Sequence, residues 1–180
     1  MRYTDGGTQG TQGKQIMDFA KKLGGLMDLD PGCEKWLLSG SQSFRDSNEM
    51  RASLTAYVNL LDTTNLMGWA VMTPVNSNET GVINATTGNG YRRMTIVFNE
   101  RGSFFQSSHV GRSQGVDYAS QIGGIRPGTD RQRGLKMLHE FAHSLGSVDF
   151  GSDDGNQAAV NRNNDLIWKN CNITLMSLGN

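Results

Sequence analysis

No run of 18 or more apolar residues occurs in this 180-residue chain, which excludes a membrane-spanning helix. An excess of either charge is lacking too. With 17 basic and 17 acidic residues, no overall field draws the chain to nucleic acid or to a membrane surface. The opening Met1-Arg2-Tyr3-Thr4-Asp5 has none of the apolar character of a signal peptide. A methionine set directly before a Gly/Thr/Gln-rich tract reads as the start of an excised piece, with a leader or upstream domain lying outside it. Cysteine is scarce: Cys33 and Cys171 are the only two, 138 positions apart. That separation suits a long-range staple of the kind extracytoplasmic proteins use, the alternative being two unpaired buried thiols. Triplets of the N-glycosylation type begin at Asn78, Asn84 and Asn172, but a chain this rich in Asn, Ser and Thr produces them by chance.

What is present points to one domain with a polar leader. Residues 1–13 read as a flexible tail or linker, leaving 14–180 as a single domain. Ile16, Phe19, Ala20, Leu23 and Met27 recur at helical spacing, and Asp30-Pro31-Gly32 stops that helix. Cys33 to Leu38 suits a short helical turn. Ser47 followed by Met50, Leu54, Tyr57, Val58 and Leu61 predicts a second amphipathic helix. Residues 69–73 and 82–84 suit short strands, and the alternation from Tyr91 to Phe98 predicts a half-buried one. A long Gly/Ser/Gln-rich loop occupies 99–130, with Phe104-Phe105 as its anchor to the core. A helix over Leu135–Leu145, an acidic turn-rich segment and a last helix over 156–170 complete the reading, the last with Leu166, Ile167 and Trp168 as its apolar content.

Within the 135–145 helix stands His139-Glu140-Phe141-Ala142-His143. Helix positions four apart share a face, so both imidazoles can bind one tetrahedral Zn2+ ion. Glu140, one residue round the helix, can take a proton from a water activated by the metal as that water attacks a carbonyl carbon. Leu138, Phe141, Ala142 and Leu145 form an apolar stripe on the other side. With three His and five Glu in the chain, chance placement of the pattern runs at roughly one in a thousand.

Three residues past His143 is Gly146, and three further is Asp149. The His-Glu-x-x-His-x-x-Gly-x-x-Asp string resembles the metzincin zinc peptidases in their short version with an aspartate as third ligand, as in the snapalysins. A glycine at 146 can take the left-handed conformation that ends a helix and turns the chain back, and the resemblance then implies Asp149 as the third metal ligand. It also implies a methionine turn beneath the metal, for which Met176 in Thr174-Leu175-Met176-Ser177 stands downstream. Gly151-Ser152-Asp153-Asp154 resembles instead the Gly-Thr-x-Asp segment of the aspzincins (deuterolysin-like peptidases), which would assign Asp154, with Asp153 beside it as a further candidate from the same segment. A thermolysin-like arrangement would use Asp165. Asp153-Asp154 could equally serve as the N-cap of the last helix.

His109 and Tyr118 are weaker candidates, for substrate binding and for oxyanion stabilisation. Cys33 lacks the flanking motif of a deformylase-like ligand, and Arg92-Arg93 is too short for a nucleic-acid patch. The resemblance implies an α+β zincin-like domain with a small mixed sheet, an active-site helix and a C-terminal helix, and a substrate laid along an edge strand, here 91–98. The expected activity is zinc-dependent hydrolysis of peptide bonds in a protein or peptide substrate, by a monomeric, extracytoplasmic or secreted enzyme. A zincin-fold binding module without turnover, and a hydrolase of non-peptide amides, are the other readings the motif admits.

Overall fold

A computed structural model describes residues 2–4, 11–39, 67–73, 81–88, 91–99, 104–105, 112–113, 116–117, 125–126, 128–153 and 156–179. The helix expected over Ser47–Leu61, His109, Tyr118 and Asp154 lie outside the described residues.

Among the described residues four helices make up the packed body: α1 (Thr11–Met27), α2 (Pro31–Leu38), α3 (Asp130–Leu145) and α4 (Gln157–Met176). The first begins at Thr11, inside the stretch read as a tail, and buries Gly13, Ile16, Phe19, Ala20, Leu23 and Met27 on one face. Met137, Leu138, Phe141, Ala142 and Leu145 of α3 meet Leu37 of α2 and Ile167, Cys171 and Leu175 of α4 in one apolar cluster. Phe104 anchors its segment to that cluster, its ring edge-on to those of Phe19 and Phe98.

The expected α+β architecture is corrected here. Among the residues with described packing 72% are helical and Phe98 alone lies on a strand, because the apolar positions of this body follow the 3.6-residue period rather than the two-residue one. Extended backbone runs over Met67–Thr73, Gly81–Gly88 and Tyr91–Asn99, and Phe98, the one of its side chains that is described, is buried in the helical core. The proposed substrate edge is corrected as well. Tyr91–Asn99 pairs on both sides, parallel to Met67–Thr73 and antiparallel to Gly81–Gly88. A strand paired on both sides has no free backbone row to offer a substrate.

Two polar devices set the helices against one another. Arg131, buried in the first turn of α3, donates from Nε to the Leu175 carbonyl (3.0 Å) and from Nη2 to that of Leu178 (3.1 Å). These carbonyls lie in the last turn of α4 and just past it, where the helix ladder runs out, and the Arg131 amide also donates to the Gly179 carbonyl (3.1 Å), so α3 starts where α4 ends and the two run antiparallel. Gly134 permits the close approach, since a Cβ there would collide with Leu178. The second device is Asp30, 3% exposed. Its Oδ1 accepts from the Cys33 amide (3.3 Å), capping α2, and its Oδ2 accepts from the Thr174 amide and hydroxyl (both 3.0 Å). Thr174 follows a break at Cys171 (φ −124°, ψ 23°) inside α4, so one carboxylate caps two helical starts. Beside it Cys33 and Cys171 form a disulfide.

Candidate metal centre

The site grows from the end of α3. Thr129 caps that helix through a hydrogen bond from the Gln132 amide, and the helix carries His139 and His143 one turn apart on one face. Gly146 ends it at φ 62° and ψ 42°, in the left-handed region expected for that glycine. The chain then folds back, the Ser147 amide bonding to the Ala142 carbonyl (3.0 Å).

Beyond the turn, α2 takes hold of the loop. Ser147 Oγ donates to the Leu37 carbonyl (2.9 Å), the Val148 amide to Ser39 Oγ (3.2 Å) and Trp36 Nε1 to the Val148 carbonyl (3.3 Å). Phe150 is thereby laid against both imidazoles, with ring centroids 5.0 Å from His139 and 4.7 Å from His143. Asp149, the carboxylate favoured from the motif, is exposed at a positive φ of 64° and stands outside the group of converging donors. Three residues after Phe150 the chain delivers Asp153 instead.

His139, His143 and Asp153 are the one group of three or more potential metal donors that converges among the described residues. The two Nε2 atoms lie 3.2 Å apart, Asp153 Oδ2 is 2.8 Å from His139 Nε2, and Oδ1 is 3.2 Å from His143 Nε2. Two imidazole nitrogens at that distance share one proton or face a common cation, because two N–H groups cannot point at each other. Ligands at about 2.0–2.1 Å from a tetrahedral zinc stand roughly 3.3 Å apart. The nitrogen pair, 3.2 Å apart, is close to that spacing, while the two contacts to Asp153 are made by different oxygens; two imidazole nitrogens with one carboxylate are donors of the kind a divalent metal such as zinc accepts.

Electrostatics agree with the geometry. Burial opposes ionisation of Asp153, but hydrogen bonds from His139 and His143 outweigh it and hold the carboxyl far below its usual range. Burial likewise opposes charge on His139, yet its hydrogen bond to Asp153 and the charges of Glu140 and Asp153 raise it above an ordinary imidazole. Glu140 is raised, chiefly by burial. The charges of His139 and His143 pull it back down and that of Asp153 pushes it up.

The remaining candidates fall elsewhere. Asp165 is exposed on α4. Met176 is 58% exposed in the last turn of α4, not in a turn beneath the histidines. Asn156, not an aspartate, caps α4 through a hydrogen bond from the Ala159 amide (3.1 Å).

Two residues that the motif did not point to complete the site. Asn164 Oδ1 lies 2.9 Å from His139 Nδ1, and Asn163 Nδ2 donates to Asp153 Oδ2 (3.0 Å) and to the Gly151 carbonyl (2.8 Å). A signal for them existed. The buried positions of α4 run Ala159, Val160, Asn163, Asn164, Ile167, Cys171, Thr174 and Leu175, so this asparagine pair falls on the apolar stripe, where polar side chains occur only with partners.

No family model matches this chain, and neither the curated proteins nor the solved structures yield a match.

Proposed function

We propose that this protein is a zinc-dependent peptidase whose metal is held by His139, His143 and Asp153, with Glu140 as general base. The observation that carries this reading is the convergence of two Nε2 atoms and one carboxylate within 2.8–3.2 Å, with Glu140 beside them on the same helix. The third donor comes from the Gly151-Ser152-Asp153-Asp154 segment and not from Asp149, which speaks against the metzincin-like ligand order; it stands one position before Asp154, the residue the aspzincin pattern would use.

Bound zinc would lower the pKa of a coordinated water and polarise a substrate carbonyl. Glu140 is suited to accept the proton of the attacking water and to return it to the leaving amine, because burial lifts its carboxyl toward the range a general base needs. Asp153 offsets cationic charge and stays ionised in its pair of imidazole contacts. Phe150 covers one side of both rings and keeps water from that flank. The buried Cys33–Cys171 disulfide supports an oxidising, extracytoplasmic location for the enzyme.

Glu140→Gln tests the proposal. Casein turnover that wild-type protein shows, and that a chelator abolishes, should fall by at least about 100-fold, while zinc per protein stays near one. A variant that keeps more than a few per cent of wild-type activity would refute the role of Glu140. Wild-type protein that holds zinc but turns over no peptide would favour a binding module instead.

A further inference from the structure

We propose that Asn163 and Asn164 are positioning residues of the metal centre, Asn164 fixing the His139 tautomer that leaves Nε2 free for a metal and Asn163 orienting the Asp153 carboxylate. The inference rests on the metal-centre reading above and concerns how α4 organises that centre.

Both amides sit in the core, Asn163 with no exposure and Asn164 with 6%. A buried amide here is disfavoured unless its hydrogen bonds require it. The groups facing Asn163 are both acceptors, the Gly151 carbonyl and Asp153 Oδ2, so its Nδ2 must point at them. That orientation leaves Asn163 Oδ1 buried without a partner. The amide thus gives up one hydrogen bond of its own in order to place both N–H groups, one on the donor carboxylate and one on the loop that carries it.

Asn164 acts on the other side of the same centre. A metal at His139 Nε2 requires the ring proton on Nδ1, and a carbonyl oxygen 2.9 Å from Nδ1 selects that tautomer and sets the ring plane. Because the acceptor is a neutral amide, it orients the imidazole without adding negative charge beside the metal. Consecutive residues of one helix therefore reach two ligands that lie 14 residues apart in sequence. The N-terminal half of α4 works as the template against which the α3 histidine and the loop aspartate are aligned.

The test compares Asn164→Leu, Asn164→Asp and Asn163→Leu with wild type in a zinc titration against a chelating dye. Zinc affinity should fall about 10- to 100-fold in both leucine variants, while Asn164→Asp, which keeps an acceptor for Nδ1–H, recovers most of it. An Asn164→Leu protein that binds zinc as tightly as wild type, or an Asn164→Asp protein as weak as the leucine variant, would overturn the proposal. Imidazole nitrogen NMR on the wild-type zinc protein gives a second measurement that needs no variant to fold. His139 should be protonated on Nδ1 and metal-bound through Nε2, and the reverse tautomer rejects the role of Asn164. Failure of wild-type protein to take up zinc would sink the metal-centre reading itself, whereas tight wild-type binding with indifferent variants sinks only this inference.

Discussion

Asp149 and Asp153 are four residues apart in one short loop, yet only Asp153 stands at the histidines. The difference lies in what holds each. The turn after Gly146 is bonded to α2 through Ser147, Val148 and Trp36, which leaves Asp149 facing solvent, while Asp153 is anchored by Asn163 and both imidazoles. Removing a true ligand leaves a two-histidine site too weak to keep its metal. Asp153→Ala should therefore lose zinc on dialysis against a weak chelator, and Asp149→Ala should retain it within error of wild type. Metal analysis of both variants decides the point, and the opposite pattern would restore the metzincin-like ligand order.

At the scale of elements, the α2–α4 contact is organised by Asp30, whose two oxygens satisfy the start of α2 and the restart of α4 after Cys171. A capping side chain is worth about 1 kcal/mol, and hydrogen bonds to a buried charged group contribute about 1.5–3 kcal/mol. Asp30→Ala, which also orphans the Thr174 hydroxyl, should destabilise the protein by about 2–4 kcal/mol in urea unfolding. Asp30→Asn should cost less, because one amide oxygen can still serve one of the two helical starts. A loss below about 0.5 kcal/mol for the alanine variant would show that the double cap contributes nothing net. The same helices reach the proposed metal centre, α2 by gripping the 147–150 loop and α4 through its asparagines, so a shift between them would be felt at His139 and Asp153.

For the whole molecule the longest-range constraint is the Cys33–Cys171 bridge, closing a loop over a sequence separation of 138. A chain-entropy estimate for so long a loop is about 4–5 kcal/mol. Both cysteines are fully buried, so a mild reductant should leave the native bridge intact, and its reduction should follow unfolding. Mass analysis of non-reduced protein should show one cross-linked peptide and a mass two hydrogens short. Urea unfolding should lose up to about 4–5 kcal/mol when a strong reductant is present. Free thiols in protein made under oxidising conditions would remove the case for an extracytoplasmic setting.

Local signals in the sequence were enough for the pieces that depend only on spacing. Helical periodicity marked α1 and α3, the four-residue interval put His139 and His143 on one face, and Gly146 marked the left-handed turn, because each is a property of a few neighbouring residues. The helix over α4 was also legible, although its extent to Met176 was not, since Asp30 and Arg131 support its second half from elsewhere in the chain. What only the tertiary structure decided was every relation between elements. Periodicity predicts a strand but not its neighbours, so the strand read over 91–98 is assigned to an edge from sequence, whereas Tyr91–Asn99 is paired on both sides. The choice of Asp153 over Asp149 depended on where α2 grips the loop, and the part played by Asn163 and Asn164 on their packing against α3. These outcomes rest on hydrogen bonds between residues 10 to 144 positions apart, which no local pattern encodes.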